Sequence, residues 1–155
     1  QERIDGGWFF SHSFYNGVTQ SMAMEPSSDT NTLEDLAGKA VAVVSGTLGA
    51  AYAESVKDKY GFSIATFSDS HSMYAAVLEG RAAACFEDTP ALRDSIASGV
   101  ALELVPGSEG AASDYCVAIC DEKDRPFLEL FNQGLANIRA NGIYDAILAK
   151  YADTL

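Results

Sequence analysis

Lys39-Ala40-Val41-Ala42-Val43-Val44-Ser45-Gly46-Thr47-Leu48-Gly49 decides the fold. From Lys39 to Val44 the residues are β-branched or small and apolar, apart from the first, which predicts a strand buried on both faces. The strand breaks into a small glycine-containing turn and then a helix, expected over 48–59. Such a junction aims unpaired N–H groups and the positive end of a helix dipole at one spot, which suits an anion such as a carboxylate. Open α/β sheets bind ligands at the carboxyl ends of their strands, where this turn would sit. It lacks the lysine of a P-loop, and one G-x-x-G is no dinucleotide fingerprint. Nor is it a G-x-S-x-G elbow, so a nucleophilic Ser45 is not expected. The plainer alternative is a helix capped by its own Ser45 or Thr47, with no ligand involved.

Strands and helices alternate on the downstream side. Phe62 to Phe67 reads as a strand, Ser70 caps a helix that runs through Leu78 to Gly80, and Ala82 to Phe86 is a second buried strand. Thr89-Pro90 opens the next helix with a cap and an early proline, and Gly99 ends it before a strand at Val100 to Val105. The alternation predicts a parallel, doubly wound α/β sheet. Upstream, residues 18–24 alternate as a strand with Met22 and Met24 on its core face, and Glu25 to Asn31 is a loop. Thr32 then caps a short helix, with Asp35 three residues on and Gly38 at its end. In the last third, Tyr115 to Cys120 reads as one strand. Arg125 to Ala140 follows as a helix with apolar residues at Phe127, Leu128, Phe131, Leu135 and Ile138, and Tyr144 to Tyr151 as another.

Phe86-Glu87-Asp88-Thr89-Pro90 is a second strand end running into a helix. Its two carboxylates could hold a cation, or Asp88 could cap the helix. Neighbours on an extended end point opposite ways, so they make a poor acid/base pair. His12 and His71 have no ligand-spaced partner and read as surface or turn residues. Trp8, Phe9, Phe10, Phe14 and Tyr15 read as packing aromatics.

Bulk properties narrow the function classes. At 155 residues, 48% hydrophobic and 21% charged, the chain suits one packed domain or a domain plus part of a neighbour. Its net charge of −12 disfavours nucleic acid and anionic membrane surfaces as partners. No apolar run approaches the roughly 20 residues of a membrane helix, so no direct membrane insertion is expected. Cys85, Cys116 and Cys120 lack zinc spacing and sit among apolar neighbours, so buried free thiols are expected. Cys116 and Cys120 would share a strand face about 13 Å apart, too far to bond. The chain opens at Gln1-Glu2-Arg3 with neither start methionine nor signal peptide, as if in mid-loop, and a natural N-terminal part is expected upstream.

Together these pieces resemble the type II periplasmic binding proteins (extracellular solute-binding protein family 3), in particular the polar amino-acid-binding proteins of ABC importers. Gln1-Glu2-Arg3 is similar to the family's Thr-x-Glu-Arg opening, and Phe10-Ser11-His12-Ser13-Phe14-Tyr15 to its Phe-Ser-x-x-Tyr-Tyr segment. The run from Thr32-Leu33-Glu34-Asp35-Leu36-Ala37-Gly38-Lys39 to Gly46-Thr47 follows, then Leu78-Glu79-Gly80-Arg81 and Asp88-Thr89-Pro90. Asn141-Gly142-Ile143-Tyr144 to Lys150-Tyr151 resembles the family's closing motif, so the match runs the whole chain in order.

The resemblance implies a periplasmic-binding-protein-like II fold, a doubly wound, mostly parallel sheet flanked by helices. Residues 1–18 would be the tail of a first lobe and a hinge, and residues 19–113 the second ligand-binding lobe. Residues 114–155 would be a second hinge strand and helices that return to the first lobe, whose remainder is absent. The lobes of such proteins close around the ligand. By position, Arg3 would pair with a ligand α-carboxylate, together with the Leu48 backbone N–H in the Ser45-Gly46-Thr47 turn, while Asp88 would hold the α-ammonium.

Val44 stands where several relatives carry a polar or basic residue, Glu87 where they carry His, and Ala82-Ala83 where Asp-Ala is usual. Glu87 would either favour a cationic ligand side chain or face solvent. The implied function is a non-catalytic solute-binding component of an importer, with an amino acid as ligand and a membrane permease as partner. No cofactor and no metal are implied, and the location is extracytoplasmic, periplasmic or on a cell-surface lipoprotein. The rivals are an extracytoplasmic sensing domain of a receptor kinase and a cyclohexadienyl-dehydratase-like enzyme. An enzyme would need a poised acid or base, for which only Glu87 is a candidate.

Overall fold

The computed structural model describes residues 6–151. Two compact units divide them: residues 6–18 with 113–151, and residues 19–112. In chain order the strands are β1 (Phe9–Phe10), β2 (Tyr15–Met24), β3 (Ala40–Val44), β4 (Ser63–Phe67), β5 (Ala84–Asp88), β6 (Glu103–Leu104), β7 (Gly110–Tyr115) and β8 (Ala118–Ile119). The helices are α1 (Leu48–Tyr60), α2 (Ser70–Leu78), α3 (Thr89–Ala97), α4 (Arg125–Ala140) and α5 (Ile143–Lys150).

The larger unit is built on a sheet of order β4-β3-β5-β2-β6, with β7 pairing on β2. β3 runs parallel to β4 and β5, in registers Val41↔Ile64 and Val41↔Ala84. β2 runs antiparallel to β5 and β6, so the sheet is mixed with a parallel centre. Alternation along the central strands sends residues to two cores. Met22, Met24, Val41, Val43, Ala84 and Phe86 pack on one face with Ala53 of α1. Ala23, Ala42 and Cys85 pack on the other with Met73, Tyr74 and Val77 of α2 and Leu92 of α3. The central strands are thus buried on both sides, which is why they read as unbroken apolar runs.

Caps fix the helix ends. Thr32 and Asp35 form a reciprocal box, but it closes only a single 3-10 turn, Glu34–Leu36. α2 is capped by Asp69 and not by Ser70: the Asp69 carboxylate accepts from the Ser72 N–H at 2.8 Å. The Thr32 hydroxyl and the Asn31 N–H hold the Asp35 carboxyl below its ordinary value of 3.8. The Ser72 N–H and the Ser68 hydroxyl do the same for Asp69. Carboxylates with depressed folded-state values contribute stability that is fully present above the unfolded value and is lost as pH falls through the folded one. The urea midpoint is therefore expected to fall as pH drops below about 4. An Asp69→Ala variant, lower at pH 6, should converge on wild type as the cap protonates.

In the smaller unit β1 pairs antiparallel with β8, Phe9 opposite Ile119. Phe14 packs edge-on against Phe131 of α4, with ring centroids 6.2 Å apart, and the Tyr144 hydroxyl donates to the Phe14 carbonyl at 2.6 Å. The aromatics of the opening stretch pack here, apart from Trp8, which is exposed. The apolar stripe of α4 buries Leu128 and Leu135, whereas Phe127 remains 54% exposed. Among the described residues no helix is long and apolar enough to cross a membrane.

Three expectations are corrected. The strand read over 115–120 is broken, because β7 ends at Tyr115 and only Ala118–Ile119 pairs again. The burial expected of all three cysteines holds for only one: Cys85 is buried, but Cys116 is half-buried and Cys120 exposed, all three as free thiols. The strand expected over 100–105 shrinks to Glu103–Leu104.

Candidate functional site

The carboxyl ends of β3 and β5 lie side by side at the centre of the sheet. Their register pairs Ala42 with Cys85, and continued in step it sets Ser45 opposite Asp88. At the end of β3 the chain turns through Ser45 and Gly46, whose φ of 74° is the left-handed conformation that glycine adopts freely. The Ser45 N–H still reaches the Phe67 carbonyl at 2.9 Å, so the turn begins from a fully paired strand. Thr47 caps α1: its hydroxyl donates to the Val44 carbonyl at 2.8 Å and accepts from the Ala50 N–H at 3.2 Å. That hydroxyl is committed to the turn. The N–H groups of Leu48 and Gly49, the first two of the helix, have no intrahelical carbonyl to meet. They carry the positive end of a 13-residue helix.

α1 reaches this place because Gly49 has no side chain. A Cβ there would lie 2.7 Å from the Phe86 carbonyl oxygen and 3.0 Å from Gln20 Oε1. The helix thus begins directly on the backbone of β5. Gly49→Ala is expected to lower stability by about 1–3 kcal/mol through overpacking against buried backbone. A urea titration would show this as a lower midpoint at unchanged slope.

Glu87 and Asp88 go to opposite faces of β5. Glu87 accepts from the Ser70 hydroxyl at 2.8 Å and from the Tyr74 hydroxyl, which also contacts Ser95 Oγ at 3.2 Å. Burial, then the bond to Glu87, pushes the Tyr74 phenol well above its ordinary value, so it stays a neutral donor. Glu87 is half-buried and paired, not solvent-facing. Asp88 lies on the α1 side, where the Gln20 amide donates to Oδ1. Although Asp88 occupies the N-cap position of α3, its carboxylate makes no capping bond. Thr89, expected as the cap, turns its hydroxyl to the Thr19 carbonyl at 2.9 Å instead.

The structure therefore brings Ser45, Gly46, Thr47, Leu48 and Asp88 to one end of one sheet and sets Glu87 on the other face. Arg3 lies outside the described residues. Sequence reasoning missed Gln20 and Gly49. The signal for Gln20 was a glutamine two and four residues before Met22 and Met24, on the same core face of β2. Among the described residues no group of three or more His, Cys, Asp or Glu is placed to hold a metal.

A solved structure, the second substrate binding domain of a protein assigned as an amino acid ABC transporter from Streptococcus pneumoniae, is 34% identical to this chain. It superposes with a TM-score of 0.67, over 97% of this chain and 68% of that one. The chain belongs to the type II periplasmic binding proteins. Its α/β fold, with a mixed sheet flanked by helices, is that of this family. Holo ArgBP from T. maritima is another periplasmic binding protein with this fold, 26% identical with a TM-score of 0.75 over 97% of this chain and 65% of its own. The lysine/arginine/ornithine-binding periplasmic protein of Escherichia coli (strain K12) is 27% identical over 160 residues. That match covers 93% of this chain but only 58% of the relative. No family model matches the chain.

Proposed function

We propose that the protein is the solute-binding component of an amino-acid ABC importer. The observation that carries this reading is the pairing of unlike charges at one sheet end. Free helix N–H groups at Leu48 and Gly49 suit a carboxylate, and in the adjacent strand the Asp88 carboxylate suits an ammonium. A zwitterionic α-amino acid satisfies both at once. Residues 19–113 then form one ligand-binding lobe, and residues 1–18 and 114–155 belong with the other, to which Arg3 adds a cation for the ligand carboxylate. The role is binding without catalysis, Glu87 being held by Ser70 and Tyr74 on the far face. The partner is a membrane permease, and the protein works outside the cytoplasm. Relatives named for lysine, arginine and ornithine make basic amino acids the first candidates.

A thermal-shift panel of the twenty L-amino acids on the full-length protein tests this. At least one is expected to raise the melting temperature by several degrees at millimolar concentration. No shift with any of them would overturn the reading.

A further inference from the structure

Gln20 sits directly across the antiparallel β2–β5 pair from Asp88, so the two side chains share a face. The glutamine is fully buried. Its Nε2 donates to Asp88 Oδ1, while its Oε1 is buried with no hydrogen-bond partner among the described residues. Reversing the amide would set a carbonyl oxygen against a carboxylate oxygen, so the donor end must face Asp88. The orphaned oxygen instead abuts Gly49 in the first turn of α1. A buried acceptor without a donor costs stability. An apolar side chain of the same length would fill this place beside Met22 without that cost. What the glutamine adds is a neutral donor, which orients the carboxylate without competing for its charge.

We propose that Gln20 is a positioning residue for ligand recognition, holding Asp88 in the orientation that meets a ligand ammonium. This rests on the amino-acid-binding reading above. The test compares wild type with Gln20→Met and Gln20→Leu in the full-length protein. Calorimetry measures affinity for the L-amino acid that stabilises wild type most in the panel of twenty, and for its α-hydroxy analogue, which lacks only the ammonium. For Gln20→Met, affinity for the amino acid should fall about tenfold, and that for the hydroxy analogue by less than about twofold. The ligand-free melting temperature should be held or raised as the orphaned oxygen disappears.

Gln20→Leu also removes the donor to Asp88 and should lose as much preference for the amino acid. It carries the comparison if Gln20→Met does not fold. Equal losses for both ligands would show a merely structural glutamine and overturn the proposal, as would unchanged affinity. Failure of wild type to bind any of the twenty would overturn the amino-acid reading and this inference with it. Binding by wild type that is indifferent to Gln20 overturns the inference alone.

Discussion

Asp88→Asn is expected to weaken amino-acid binding by about a hundredfold or more while the protein stays folded. Asparagine keeps the shape of the side chain and removes its charge. A ligand ammonium drawn out of water would then meet a neutral amide, and an uncompensated buried charge typically costs about 2–5 kcal/mol. The fold should tolerate the change, because the Asp88 carboxylate does not cap α3 and the core of β5 is made by Ala84, Cys85 and Phe86. Glu87→Gln serves as the control. Its partners are Ser70 and Tyr74 on the opposite face, so it should alter stability more than affinity for the α-amino acid group. Calorimetry on both variants, with melting curves alongside, separates the two carboxylates.

The second large effect is expected from Leu48→Pro. Proline is well tolerated at the first position of a helix, where the missing N–H would have had no intrahelical partner. The preceding residue must be extended, and Thr47 already is, with φ −93° and ψ 165°. The leucine side chain is 36% exposed, so little packing is lost. What the substitution deletes is one N–H, the one proposed to meet a ligand carboxylate. A hydrogen bond to a charged group is worth about 1.5–3 kcal/mol, so affinity should drop at least about tenfold. Leu48→Ala, which keeps the N–H, should bind nearly as wild type. A Leu48→Pro protein that binds normally would show that this backbone group does not touch the ligand.

What the sequence revealed depended on how many constraints each segment carried. β3 was legible because it is buried on both faces and reads as five β-branched or small apolar residues in a row, Ala40 to Val44. α4 was found with its observed bounds, Arg125–Ala140, since one side of it is packed and the other is not. Short elements that rely on distant partners were less readable. The break between β7 and β8 leaves no mark in a run of small and apolar residues, so the sequence alone puts Cys120 inside. In Ser68-Asp69-Ser70 three adjacent residues can each cap a helix, and the carboxylate prevailed.

The site divided in the same way. The turn at Ser45–Thr47 and the acid at Asp88 stand at strand ends and could be read locally. The Tyr74–Glu87 bond joins residues from different elements and left no local trace. Gln20 was visible only as a polar residue on an apolar face, a signal whose meaning depends on knowing that β5 lies beside β2.

In the proposed grip, one ligand bridges the start of α1 and the end of β5 through its carboxylate and its ammonium. Titration calorimetry of the full-length protein tests it most directly, with the best-binding amino acid set beside its methyl ester and its α-hydroxy analogue. Each analogue should bind at least about thirtyfold more weakly than the amino acid, since each leaves one desolvated polar group unanswered. An analogue that binds as tightly as the amino acid would show that one end of this grip is not used.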